Sequence, residues 1–177
     1  DLSPIAYARA YEYAERPFTA EAKGTILDVR TARPAWILGS DSWFEYFFYR
    51  PALASGFVPY YGDGRQQMSI ISVEDCAGQL LHVSTHGSKG ESYNLFGFAP
   101  TSQLEFAEKI GDVLGLDVRQ VDEKELVKKH GKTVAEALTS NTPVTTMHSE
   151  WKASYKAVDR NLDLLIAKTV KVLTERS

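Results

Sequence analysis

GDGRQQMSIISVEDCAG, residues 62 to 78, is the stretch on which the reading of the fold turns. Two glycines flank an aspartate; a polar run, an apolar run and an acidic pair follow. A phosphate cradle needs its glycines at a strand-to-helix turn, where helix N–H groups meet the phosphate. Here Gly62-Asp63-Gly64 leads into a strand-like run, and Gln67 stands where a third glycine belongs. No G-x-G-x-x-G and no G-x-x-x-x-G-K-[ST] occurs anywhere in the chain. The stretch reads as a tight turn, then a strand, then a helix start. This chain is therefore not expected to hold a dinucleotide by itself.

Working outward, strands and helices alternate. Ser3 to Lys23 reads as a helix, with Ser3 as N-cap, Pro4 in the first turn, and Pro17 ending or kinking it. Thr25 to Ala32 is a β-type run closed by Pro34. Ser42 caps a short helix that Pro51 interrupts; its aromatic run, Trp43 to Tyr49, reads as packing, with a functional patch as the alternative. Val73 to Thr85 has helical spacing, with Val73, Ala77, Leu80 and Leu81 on one face. Residues 91–98 form a short strand. Residues 100–115 form an amphipathic helix capped by Thr101 or Ser102, striped by Leu104, Ala107, Ile110 and Leu114, and stopped at Gly115. A strand over 116–121, two charged helices over 122–139, a loop over 139–146 and a closing helix from Asp159 to Leu173 complete the pattern. The class is α/β.

The chain has 177 residues, 44% apolar and 24% charged, which is ordinary for a globular domain. A net charge of -3 and a pI near 5.8 give no electrostatic case for nucleic acid. No apolar run is long enough for a membrane helix. Cys76 is the lone cysteine, read as a buried structural thiol, and a reducing compartment is expected: cytoplasm, or an organelle's stroma or matrix. His82 and His86 stand four apart, but the helix is expected to end near Ser84 and no acid or thiol accompanies them, so no metal site is expected. The chain opens at Asp1 inside a periodic segment, and a fragment or a processed chain is expected.

Four stretches, in order, resemble the C-terminal half of the extended short-chain dehydrogenases/reductases, the NAD(P)-dependent epimerase/dehydratase family. YARAYEYAE is similar to the active-site helix Y-x-x-x-K-x-x-x-E, with Tyr7 on the catalytic tyrosine and Glu15 on the acidic position. VRTARPAWILG is similar to the strand and loop R-P-x-x-x-x-G, with Arg33, Pro34 and Gly39. Residues 62–78 resemble the G-x-G turn and V-x-D-x-A run, with Val73, Asp75 and Ala77. Residues 91–115 resemble the strand, Thr cap and helix that come next.

The resemblance implies the C-terminal part of a Rossmann-like fold with a small mixed α/β substrate lobe. Residues 1–40 would be the late Rossmann helix and strand, and 41–177 mostly lobe and closing helices. It implies NAD or NADP in a longer protein, a missing N-terminal Rossmann half as partner, a small-molecule substrate such as a nucleotide sugar, and a homodimer through the tyrosine helix. Tyr7 would be catalytic. Pro34 and Ala35 would lie near the nicotinamide. Arg65, Met68 and Asp75 would line the substrate region.

Two departures matter. The lysine four residues after the tyrosine is replaced by Tyr11. In the family mechanism its charge lowers the tyrosine pKa. Met68 stands where family members that act on nucleotide sugars carry a diphosphate-gripping arginine; Arg65 and Arg50 are the nearby cations. The alternative implied is a non-catalytic relative: a scaffold or accessory subunit, of an organellar or RNA-associated complex.

Overall fold

The computed structural model describes residues 6–22 and 27–176. Helix α1, Ala6–Ala22, continues past Pro17, so Pro17 does not end the helix. Extended chain follows as β1, Thr31–Pro34, and β2, Trp36–Leu38. The strand expected over 25–32 thus sits further along and includes Pro34; residues 23–26 lie outside the described residues. A π-helical turn, Glu45–Tyr49, flows into α2, Arg50–Ser55. Pro51 does not interrupt this helix: it falls in the first turn of α2, where a missing N–H costs little.

The middle of the chain is β3 (Val58–Tyr61), β4 (Gln67–Met68), β5 (Ile70–Ser72) and α3 (Val73–His86). The Ser72 hydroxyl caps α3 by accepting from the Asp75 N–H at 3.1 Å. Then come β6 (Ser92–Leu95), β7 (Thr101–Ser102), α4 (Gln103–Leu114) and β8 (Val118–Val121). Ser102 caps α4, and Gly115 stops it in the left-handed region at φ 67°. The chain closes with α5 (Glu123–His130), α6 (Lys132–Thr139), α7 (Ser149–Ser154) and α8 (Leu162–Arg176). The closing helix starts and ends three residues later than its periodicity suggests, and α7 has no counterpart in the sequence pattern.

Parallel ladders join β1 to β6, β2 to β5 and β3 to β8; β4 and β7 pair antiparallel. Parallel pairing requires crossover segments: α3 lies in the connection from β1 to β6, α3 and α4 in that from β3 to β8, and the π-helical turn with α2 in that from β2 to β5. Two cores result. The larger is aromatic: Phe44, Phe48 and Phe106 are fully buried, with ring centroids 5.3 to 6.2 Å apart, and Trp43 stacks on all three. The aromatic run is therefore packing, with the exception of half-exposed Tyr46, which lies under the Arg50 guanidinium. The smaller core joins Ile71, Cys76, Val83, Tyr93, Leu95 and Trp151. Cys76 is buried there, and burial pushes its thiol pKa up, away from nucleophile chemistry.

The helical face of Val73, Ala77, Leu80 and Leu81 is real but points outward. The residues that α3 buries are Asp75, Cys76, Gln79 and Val83. Buried Asp75 and Gln79 are each held by hydrogen bonds to distant segments, so tertiary partners decide which side of α3 faces the sheet.

Candidate functional site

β1 and β2 form one extended run that changes partner at Ala35. The Ala35 N–H donates to the Leu95 carbonyl at 2.8 Å, and the next N–H, of Trp36, donates to Ser69 at 3.1 Å. Pro34 and Ala35 thus sit at the carboxyl end of β1, where the sheet switches from β6 to β5. Such switch points are where open parallel sheets leave a crevice for ligands. The Arg33 guanidinium, one residue earlier, pairs with the Glu15 carboxylate of α1 at 2.7 Å. This bidentate contact fixes the tyrosine helix against the strand end. Both residues lie in the sequence motifs, but their pairing is not legible from spacing. The Tyr7 side chain lies outside the described residues; its backbone belongs to α1, two turns before Glu15.

The Gly62-Asp63-Gly64 turn carries left-handed glycines at φ 64° and 74°. Gln66 and Gln103, both buried, hold it. The Gln103 amide oxygen accepts from the Tyr61 N–H at 2.5 Å, and its nitrogen donates to Leu138 at 2.6 Å. The Gln66 nitrogen donates to the Tyr61 carbonyl at 2.6 Å. These glutamines carry no motif, so sequence reading misses them. The braced turn presents Arg65 to solvent; among the described residues its guanidinium has no partner.

Met68 and Asp75, placed by the resemblance along the substrate region, are both buried. Met68 is buried, paired with Thr101 across the β4–β7 ladder and bridged to Thr142. Asp75 is completely buried. One carboxylate oxygen accepts from the Tyr155 hydroxyl at 2.9 Å and the Val158 N–H at 2.8 Å. The other accepts from the Asp159 N–H at 3.0 Å and the Ser72 hydroxyl at 3.3 Å. A carboxylate has about four acceptor positions, and all four are taken. Asp75 therefore ties α3 to the segment before α8.

Burial and the Asp75 carboxylate push the Tyr155 phenol up to about 12. The proton is thus bound more tightly in the folded state than in the unfolded one. This contribution is complete below pH 10 and is lost as pH rises from 10 to about 12. Thermal unfolding followed across that window should show a decline that Tyr155→Phe reduces; equal declines in both proteins would disprove the coupling.

α3 extends through His86, two residues beyond the expected stop, so His82 and His86 do share a helix face, with ring centroids 4.3 Å apart. His86 lines an open cleft of about 640 Å³ with Tyr93, His148 and Trp151, and the His82 ring packs 5.4 Å from that of Trp151. Among the described residues, no three His, Cys, Asp or Glu side chains are grouped to hold a metal. The half-buried Lys152 ammonium donates to Gln79 at 3.2 Å and to the Phe96 carbonyl, and lies 4.2 Å from the Phe96 ring centroid. Burial lowers its pKa.

Solved structures share this fold. A dTDP-glucose 4,6-dehydratase from Bacillus anthracis, solved with NAD, matches 98% of this chain with a TM-score of 0.72 at 21% identity. A nucleoside-diphosphate-sugar epimerase from Pseudomonas aeruginosa matches 99% with a TM-score of 0.75 at 15% identity. The fold is that of the extended short-chain dehydrogenases/reductases. This chain spans about half the length of those structures, 52% and 57%. A curated dTDP-glucose 4,6-dehydratase from Neisseria gonorrhoeae is 41% identical over 59 residues, 33% of this chain and 17% of that protein. No family model matches the chain. The short-chain dehydrogenase fold accounts for the switch at Ala35 and for helix α1 beside it. Among the described residues, no helix is long and apolar enough to cross a membrane.

Proposed function

We propose that this chain is the substrate-side half of an NAD(P)-dependent epimerase/dehydratase-like protein that acts on a nucleotide sugar. The observation that carries this reading is the likeness of nearly the whole chain to half of a dTDP-glucose dehydratase and of a nucleoside-diphosphate-sugar epimerase. The 59-residue, 41% identical stretch of a dTDP-glucose 4,6-dehydratase supports it. A glycine turn for the pyrophosphate is lacking, so the dinucleotide-binding half is a separate segment or partner. Among the described residues β1 pairs along one edge, with β6, and its other edge suits a further strand from that half.

Pro34 and Ala35 fit the nicotinamide end of the cofactor, being small residues at the switch point. Bound NAD(P) supplies hydride exchange. Within this chain, the Tyr7 phenol gives and takes the sugar hydroxyl's proton, the Glu15–Arg33 contact holds its helix, and Arg65 neutralises the diphosphate.

UDP-glucose and dTDP-glucose should each raise the melting temperature of this chain, whereas NAD alone should not. Ligand at 100 times its dissociation constant adds about 2.7 kcal/mol of stability. Arg65→Ala should weaken binding by about tenfold or more, the worth of a charge-assisted contact. Absence of any shift with either nucleotide sugar overturns the substrate reading.

The second reading, a non-catalytic scaffold or accessory subunit, is favoured by two residues. Tyr11 occupies the lysine position with 58% of its surface exposed, and Met68 is buried where an arginine would reach a diphosphate.

A further inference from the structure

The stretch from Asn141 to Val144 lies in a segment that reads as a plain loop in the sequence, yet it is stitched to the strand that follows Arg65. Arg65 stands two residues before β4. A single residue, Ser69, links β4 to β5, and β5 pairs with β2. Beyond that joint, the direction of β4 is set by its ladder with β7, two residues long, and by the 141–144 stretch. So short a ladder does not hold a strand by itself. The Gln67 N–H donates to the Asn141 side-chain oxygen at 2.6 Å, and the Thr142 N–H donates to the Gln67 carbonyl at 2.7 Å. The Val144 N–H donates to the hydroxyl of fully buried Ser69 at 2.9 Å. A residue before proline favours extended backbone, which suits Thr142, ahead of Pro143, to its parallel bridge with Met68.

Thr142 also reaches the other end of the site. The indole N–H of Trp36, the residue after Ala35, donates to the Thr142 hydroxyl at 3.0 Å. Trp36 stands edge-on to Trp43, with ring centroids 5.0 Å apart, which holds the indole for this contact. The backbone of Thr142 thus grips the Arg65 strand while its side chain grips the strand end at Ala35.

We infer that Thr142 is a positioning residue for the nucleotide sugar: through Gln67 and Trp36 it fixes the spacing between the Arg65 turn and the strand end. The inference rests on the substrate reading proposed above, in which one ligand spans both places. A nucleotide sugar runs from the diphosphate at Arg65 to the sugar carbon beside Ala35. Its parts are covalently joined, so it meets both places only if the protein holds them at the matching distance. A nucleoside diphosphate without the sugar meets Arg65 alone and follows the turn wherever it sits. Thr142 therefore matters to the first ligand and not to the second.

Isothermal titration calorimetry of this chain with UDP and with UDP-glucose tests this. Thr142→Val keeps the shape and removes the indole's acceptor; Trp36→Phe removes the donor at the other end. Each should weaken UDP-glucose by about 5- to 10-fold, the worth of one hydrogen bond, and leave UDP within about twofold. The double variant should lose no more than either single one, because both break the same contact. Thr142→Ser keeps the hydroxyl and should bind as the parent does. Circular dichroism melts show whether each variant is folded, and Trp36→Phe decides the matter if Thr142→Val is not. Equal losses for UDP and UDP-glucose, or no loss for either, overturn the inference and leave the substrate reading standing. A parent chain that binds neither ligand overturns the substrate reading, and this inference with it.

Discussion

Asp75→Ala is expected to lower the unfolding free energy by about 3–5 kcal/mol, among the largest single-residue effects in this chain. The carboxylate is fully buried and accepts from two backbone N–H groups and two hydroxyls. Each buried donor left without a partner costs about 1–3 kcal/mol, and local relaxation recovers part of the sum. The hydroxyls can rotate to other acceptors; the N–H groups of Val158 and Asp159 cannot. Asp75→Asn separates charge and geometry from volume. One of its two positions becomes an NH2 group facing the donors that the carboxylate accepted from, so this near-isosteric change should also destabilise, by about 1–3 kcal/mol. Urea unfolding of the three proteins measures both differences. An Asp75→Ala protein within about 1 kcal/mol of the parent would show that the loop before α8 does not depend on this residue. A loss of stability with nucleotide-sugar affinity retained in the folded fraction would separate this structural role from ligand binding.

In the protein that carries the dinucleotide-binding half, Tyr11→Lys is expected to raise the rate of nucleotide-sugar oxidation at pH 7 by about 10- to 100-fold. A tyrosine of ordinary pKa near 10 is ionised to only about one part in a thousand at pH 7. An ammonium within about 6 Å favours the phenolate and lowers that pKa by about 1–3 units. Residues four apart on a helix are neighbours, which puts position 11 within reach of position 7. Tyr11 is more than half exposed, so a lysine fits there without repacking. The pH–rate profile is the decisive readout: its ascending limb, where the phenolate forms, should move to lower pH in the variant, while affinity for the nucleotide sugar stays the same. An unchanged profile, or a parent protein already at full rate near neutral pH, would remove the tyrosine–lysine substitution as a cause of low activity. A variant as inactive as its parent would leave the scaffold reading as the better account.

The α/β class and most helices were legible because their signals are local. Ser102 caps as short polar residues do, Gly115 takes the left-handed stop, and Ala107, Ile110 and Leu114 of the α4 stripe pack into the core. The expected likeness to half of a short-chain dehydrogenase agrees with the solved structures that match the chain. Pro51 misled because a proline costs a helix only where its N–H and ring conflict with the preceding turn, and it sits in the first turn of α2, just after the π-helical stretch. Pro17 lies inside α1, and nothing in the structure explains why the helix continues past it. The site was less legible. Asp75 and Met68 stand at motif positions, yet whether a side chain meets a ligand or the core depends on what packs against it. Gln66 and Gln103 brace the Arg65 turn with no motif to announce them.

By itself, then, the sequence determined the order of elements, the absence of a glycine cradle and the candidate residues at the strand end and the glycine turn. These are matters of hydrophobic period, caps and residue chemistry, which act over a few residues. Only the tertiary structure decided which way α3 faces, that Arg33 meets Glu15, and that Asp75 is filled by groups at 155, 158 and 159, some 80 residues away. Amphipathic spacing says that a helix has two sides. Which side is buried is set by partners that hydrogen-bond its polar groups, and those partners come from distant parts of the chain.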